Sequence, residues 1–379
     1  MSGREEVGMT GVTRRNLLAS LGAVPLLAAG IPARGDAAGS YLVVINLRGA
    51  LDGLAALPPH ADPDYRRARG DLALAGPSAR GVIDLDGSFG LHPALAPLRD
   101  FFRRGEMLVM PATGFQVPGV TARITPGTTP GTTAGITRGR MPVLTHATGQ
   151  ALIAESLAPT NPVARAALPT SWRYDPAQLD LIADLCHGNP SLQESLGSLV
   201  DEGGLPAAFT AQAQSFIAQA GDLGSRLADG AAPRLSMLES HGWDTHADQG
   251  RHDGRLATAL VGLAEGITAL AAASGRAWCR ISVLVVSEFG RTVAMNAMGG
   301  TDHGSASVTL LLGGAVAGGR IVARWPGLAP EQRDESGGLR ATRDLGAILA
   351  AVLRHLDGAP GPVVGAAPTG RSSPHLFHA

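Results

Sequence analysis

Two apolar runs constrain this chain more than any other feature: Tyr41-Leu-Val-Val-Ile-Asn-Leu47 and Ile281-Ser-Val-Leu-Val-Val286. Each has the length of a strand and is rich in β-branched residues. Neither alternates apolar with polar, as a strand with one wet face would. Runs of this kind fill the middle of a parallel sheet that is covered on both sides. Further strands are expected at Glu106–Pro111, Arg234–Leu238, Val308–Leu312 and Arg320–Ala323. Between them the periodicity becomes helical. Leu256, Leu260, Leu263, Ile267 and Leu270 recur at steps of four and three, one face of a long helix. Helices are also expected at Leu91–Arg104, Pro176–Cys186, Pro206–Leu227 and Thr342–Leu356. Strands alternating with helices imply an α/β fold: a doubly wound, mostly parallel sheet with helices on both faces, joined by right-handed crossovers.

The first residues follow a different logic. Thr13-Arg14-Arg15-Asn16-Leu17-Leu18 opens a moderately apolar stretch that Gly22, Pro25 and Gly30 dilute. Two arginines ahead of such a stretch form the pattern of a twin-arginine signal peptide. The stretch runs for about 15 residues, whereas a bilayer-spanning helix needs about 20. Residues 1–38 are therefore expected to be a cleaved signal, cut near Ala37 or Ala38, with no permanent membrane span elsewhere. The expected partner is the twin-arginine export machinery, and the expected location is periplasmic or extracellular. That route carries proteins already folded, which suits one that takes up a metal before leaving the cytoplasm. Residues 39–379 then form a single α/β domain. The net charge of −1 and the scattered basic residues exclude nucleic acid as a partner. Cys186 and Cys279 are the two cysteines, too far apart in sequence to imply a bridge and not spaced for a metal.

One segment obeys neither period. Thr113–Thr148 is rich in Gly, Thr and Pro, including Thr125-Pro-Gly-Thr-Thr-Pro-Gly-Thr-Thr133, and reads as an irregular insertion.

In open parallel sheets, ligands bind beyond the carboxyl ends of the strands. Three polar clusters fall there. Asp52 follows the first strand within Arg48-Gly49-Ala50-Leu51-Asp52-Gly53. His241-Gly-Trp-Asp244-Thr-His246 follows the strand near Leu238, with Asp248, His252 and Asp253 behind it. Ser287-Glu288-Phe-Gly-Arg291 follows Ile281–Val286, with Gly300-Thr-Asp302-His303-Gly304 downstream. Carboxylates and imidazoles hold divalent ions such as zinc or manganese. Asp52 before Gly53 is equally a turn residue. Asp244 and His246 share a side of an extended chain. Glu288 ends an apolar strand, where a bare charge is costly, so its partner is Arg291 or a metal. Arg291 in turn suits either Glu288 or an anionic substrate group. His252 is expected to face solvent, and His60, His92, His187 and His355 to be ordinary surface or helix residues.

Asp52-Gly53-Leu54, Leu91-His-Pro-Ala-Leu, Asp244-Thr-His246, Ser287-Glu-Phe-Gly-Arg291 and Gly300-Thr-Asp302-His303-Gly304 occur in the order found in a bacterial family, and with the twin-arginine signal the chain resembles that family, catalogued as domain of unknown function 1501. That family is grouped with the alkaline-phosphatase and sulfatase superfamily. The resemblance implies an alkaline-phosphatase-like α/β core. It also implies a divalent metal, zinc or manganese, held by Asp52, Asp244, His246, Glu288, Asp302 and His303. The implied activity is hydrolysis of a small anionic phosphate or sulfate ester. One departure stands out. Members of the family carry an Arg-Ser-His-Phe-type motif after the strand corresponding to Glu106–Pro111, where the superfamily keeps its nucleophile. This chain has Gly114-Phe-Gln-Val-Pro-Gly-Val-Thr121-Ala-Arg-Ile-Thr125, leaving Thr121 and Thr125 as substitutes. Codons for Val120–Ile124, read two bases later, can encode Tyr-Arg-Ser-His, so the Thr-Pro-Gly stretch is either an evolved loop or a frameshifted segment. With the nucleophile motif missing, a non-catalytic binding or scaffold protein on the same fold is the alternative.

Overall fold

The structure, a computed structural model, describes residues 39–116 and 204–357, with the short pieces 150, 152–153, 156 and 376–377. Seven strands form its main sheet: β1 (Tyr41–Leu47), β2 (Met107–Gly114), β3 (Leu235–Ser240), β4 (Ile281–Ser287), β5 (Ser307–Leu312), β6 (Arg320–Ile321) and β7 (Arg343–Asp344). Their order is β6-β2-β5-β4-β1-β3, with β7 also pairing with β2. β1 runs parallel to both β3 and β4, and β6 and β7 run parallel to β2. β5 is the exception. It lies antiparallel between β2 and β4. The carboxyl ends of β1 to β4 and the amino end of β5 therefore meet along one rim.

Burial explains the unbroken apolar runs. Every residue of β1 and β4 is buried. Tyr41, Val43, Ile45 and Leu47 join one core layer together with α1 (Gly204–Ala228) and α2 (Arg255–Ser274). Leu42 and Val44 join the opposite layer with α3 (Leu345–Leu356). Helices thus cover both faces, as the sequence implies. α2 presents Leu256, Leu260, Leu263, Ile267 and Leu270 to the core, each at most 2% exposed. Truncating any of these to Ala costs about 2–5 kcal/mol. Gly254 and Gly275, both at positive φ, bound this helix.

Several expectations change. The Leu91–Arg104 helix divides. Gly90–Leu91 pairs antiparallel with Ile83–Asp84, a 3₁₀ turn covers Pro93–Leu95, and a helix covers Leu98–Arg103. Pro93 and Pro97 lack the N–H that a continuous helix needs. β2 extends to Gly114, so Thr113 and Gly114 belong to the sheet and not to the insertion. Among the described residues, one helix, Arg255–Arg280, is long and apolar enough to cross a membrane by length and composition, a test that the core helix of a globular fold also passes; half of its most apolar window is buried within the fold. His92 is fully buried rather than a surface residue. Its Nδ1 accepts from Ala94 N–H at 3.0 Å and its Nε2 lies 2.6 Å from the Arg251 carbonyl. His60 bonds Asp84 at 2.9 Å, and His355 stacks on Phe377. Cys279 is exposed and forms no bridge among the described residues, and His252 is exposed. Residues 1–38, Thr121, Thr125, the 176–186 helix, Cys186, His187 and the rest of the insertion lie outside the described residues.

Candidate functional site

At the rim, the loop after β3 meets the segments after β4 and before β5. Among the described residues, Asp244, His246 and His303 each bring a ligand atom within 4.8 Å of the others. Asp244 comes from the β3 loop and is half exposed; His246 is 18% exposed. Nδ1 of His246 is in short contact with Oδ1 of Asp244. The His246 and His303 rings are tilted at 54° with centroids 4.7 Å apart, and Phe289 packs 4.8 Å behind His303. His303 reaches this place because Gly290–Arg291 pairs antiparallel with His303–Gly304. The reversed direction of β5 brings that ribbon back to the rim.

Arg291 holds the loops together. It is 2% exposed. Nε donates to the Ala50 carbonyl at 2.8 Å, and Nη1 donates to the Thr301 carbonyl at 3.0 Å. Nη2 donates to the carbonyls of Gly49 and Trp243 and, at 2.6 Å, to Asp244 Oδ1. One guanidinium thereby binds the turns after β1 and β3 and the segment before β5. It also explains Gly49. That residue lies at φ +119°, and a Cβ there would come within 2.4 Å of the Asp244 amide nitrogen.

Asp52 lies beneath this arrangement and is 1% exposed. Its Oδ1 accepts from Leu54 and Ala55 N–H at 3.1 Å, capping the short helix Gly53–Ala56. Its Oδ2 accepts from Arg69, which is fully buried, and from Gln249 Nε2 at 2.7 Å. Gln249 Oε1 in turn accepts from Thr245 at 3.0 Å and Thr301 at 2.8 Å. Each of those threonines lies next to a member of the cluster in sequence or one residue before its segment, so Asp52 supports the loops of the cluster through Gln249. Glu288 is 1% exposed. It accepts from Gly49 N–H at 2.8 Å and from the Ser287 hydroxyl at 3.3 Å. Asp302 is exposed and accepts from Asn296 Nδ2 at 3.0 Å. The structure therefore gathers three of the six expected ligands and places Asp52, Glu288 and Asp302 on other partners. Nearby, Arg48 Nη1 lies 3.4 Å from Glu239, and His241 lies 3.7 Å from it. Burial lowers the His241 pKa, Glu239 opposes the shift, and Arg48 adds to it.

Sequence reasoning overlooked Arg69, Gln249, Asn296 and Thr301. Gln249 had a signal, lying three residues beyond His246. Arg69, on a five-residue helix, had none.

Residues 199–347 match the family described as protein of unknown function (DUF1501). The matched part holds α1, α2, β3 to β7 and the three clustered donors, but less than half of the chain. Asp52 and β1 fall outside it. No curated protein and no solved structure matches the chain.

Proposed function

We propose that Asp244, His246 and His303 hold a divalent metal, zinc or manganese, and that the chain hydrolyses phosphate or sulfate esters. The supporting observation is the convergence of one carboxylate and two imidazoles from separate segments within 4.8 Å. Three protein donors leave further positions for water or substrate, as in catalytic zinc sites. The neighbouring Arg291 shares two of the donors: its Nη1 lies 3.3 Å from each ring nitrogen of His246, so metal binding there would displace that contact. It bonds Asp244 through Oδ1, and a carboxylate offers two oxygens with about four acceptor sites. When bound, the ion would supply Lewis acidity toward the ester oxygens. The chain's own contribution is positional: Arg291 and the Asp52–Gln249 pair fix the loops on which the donors stand. On this reading the protein leaves the cytoplasm through the twin-arginine machinery, and the fold is alkaline-phosphatase-like. Thr121 and Thr125 remain the proposed nucleophile candidates.

A second reading, a non-catalytic exported scaffold, is favoured by one observation. Asp52, an expected ligand, is committed to Arg69, Gln249 and two backbone N–H groups. The test is elemental mass spectrometry of the purified protein and of an Asp244→Ala/His303→Ala variant, with 4-nitrophenyl phosphate and 4-nitrophenyl sulfate as substrates. Near-stoichiometric metal and turnover, both lost in a folded variant, support the hydrolase. Metal without turnover supports the scaffold. A folded parent that takes up neither zinc nor manganese refutes the metal site.

A further inference from the structure

The loop Ala294-Met-Asn-Ala-Met298 borders the cluster and has an unusual surface. Ala294, Met295, Ala297 and Met298 are all exposed. Among the described residues, three large apolar side chains are exposed, and two of them are Met295 at 38% and Met298 at 45%. The exposure does not come from a loosely held chain. Asn296, between the methionines, donates from Nδ2 to the His246 carbonyl at 2.9 Å and to Asp302 at 3.0 Å. Its Oδ1 accepts from the N–H groups of Met298 and Gly300 at 3.0 Å. The Met298 carbonyl accepts from Asp248 N–H at 2.9 Å. Gly300 sits so closely on the 245–246 backbone that a Cβ would meet the His246 carbonyl carbon at 2.3 Å.

The segment hydrogen-bonded to this loop has another character. In the 244–253 loop, Asp244, Asp248, Arg251, His252 and Asp253 are exposed. Charged and apolar segments thus lie side by side at the rim, with Asp244 and His246 standing on the charged one. Methionine is an adaptable apolar contact that fits surfaces of varied shape. Apolar surface held rigidly beside a polar centre marks the place where a ligand is covered.

We infer that the Ala294–Met298 loop grips the organic arm of the ester, and that this arm is an apolar aryl or alkyl group. The inference rests on the hydrolase reading for the acid end of the substrate. Its test does not require turnover. The full-length, metal-loaded protein carrying ¹³C-methyl methionine is titrated with phenyl phosphate, phenyl sulfate and inorganic phosphate; Met295→Leu and Met298→Leu assign the two methyl signals. The expected result is that the phenyl esters shift both methyls, whereas inorganic phosphate leaves them in place. A Met295→Gln/Met298→Gln variant should raise KM for 4-nitrophenyl esters about tenfold, with kcat and the KM for glycerol phosphate changed less than twofold. Methyls that ignore the phenyl esters overturn the apolar grip, even where hydrolysis is intact. An equal rise in KM for the aryl and glycerol esters does so too. Methyls that respond in a protein without turnover uphold the grip and refute the hydrolase.

Discussion

Asp52→Asn separates two roles for the same carboxylate. If Asp52 bound metal, the change would remove metal and leave stability nearly intact. The hydrogen bonds predict the reverse. Asparagine keeps an oxygen for Leu54 and Ala55 N–H, so the helix cap survives. It cannot keep the negative charge facing Arg69, which is fully buried. Arg69 would retain the Val293 carbonyl at 3.0 Å and the Thr292 carbonyl at 3.4 Å, while its Nε has no hydrogen-bond partner among the described residues. Removing one member of a buried ion pair costs about 3–5 kcal/mol, because the other charge stays buried. Disturbing the Gln249 bond adds about 1 kcal/mol. A loss of about 5 kcal/mol is a large part of the roughly 5–15 kcal/mol that stabilises a typical fold. Denaturant unfolding measures it, with metal content determined on the same samples. Changing both partners, Asp52→Asn with Arg69→Met, should recover most of the loss, since no unpaired charge remains. An Asp52→Asn protein within about 1 kcal/mol of its parent that has shed its metal would refute the reasoning.

Arg291→Lys replaces five donors by three and cannot reach the Gly49, Ala50, Trp243 and Thr301 carbonyls together; a loss of about 3 kcal/mol is expected. Hydrogen exchange should show faster opening around residues 49–50 and 243–246, and unchanged protection there would contradict the assignment. Gly300→Ala forces a Cβ onto the His246 backbone and should weaken metal affinity at least tenfold while α3 stays protected, as metal titration with hydrogen exchange can establish. Burial holds the His92 pKa below the ordinary 6.5, and the Arg251 carbonyl opposes the shift. The unfolded chain therefore binds this proton at a higher pH than the folded one. The stability contribution is complete above pH 6.5 and is lost as pH falls toward the folded-state pKa, with a slope of at most about 1.4 kcal/mol per pH unit. His92→Asn should flatten that part of the stability profile, whatever it does to stability at pH 8.

Periodicity made the core legible where burial is uniform or one-sided. β1, β4 and α2 follow directly from their residues. It failed at Leu91–Arg104, where two prolines interrupt a spacing that otherwise imitates a helix. The direction of β5 was also hidden, because a buried strand has the same composition whichever way it runs. At the site, the Asp244–His246 pair and His303 were visible as residue types at strand ends. The partners of Asp52 were not. Arg69 lies 17 residues away on an unremarkable turn of helix, and Gln249 lies 197 residues away. No local pattern records pairings that only the tertiary fold creates.

The reversed strand has a consequence for the order of assembly. β4 and β5 pair antiparallel through residues such as Val283 and Leu312, so the segment carrying Arg291 and His303 closes over a short stretch of chain. Contacts from β1 to β3, such as Arg48 with Glu239, close a separation of 191 residues. Closure entropy grows with that separation, and distant pairings form late. Half of the rim can therefore be in place, with its guanidinium already presented, before the first strand arrives to give it carbonyls to hold.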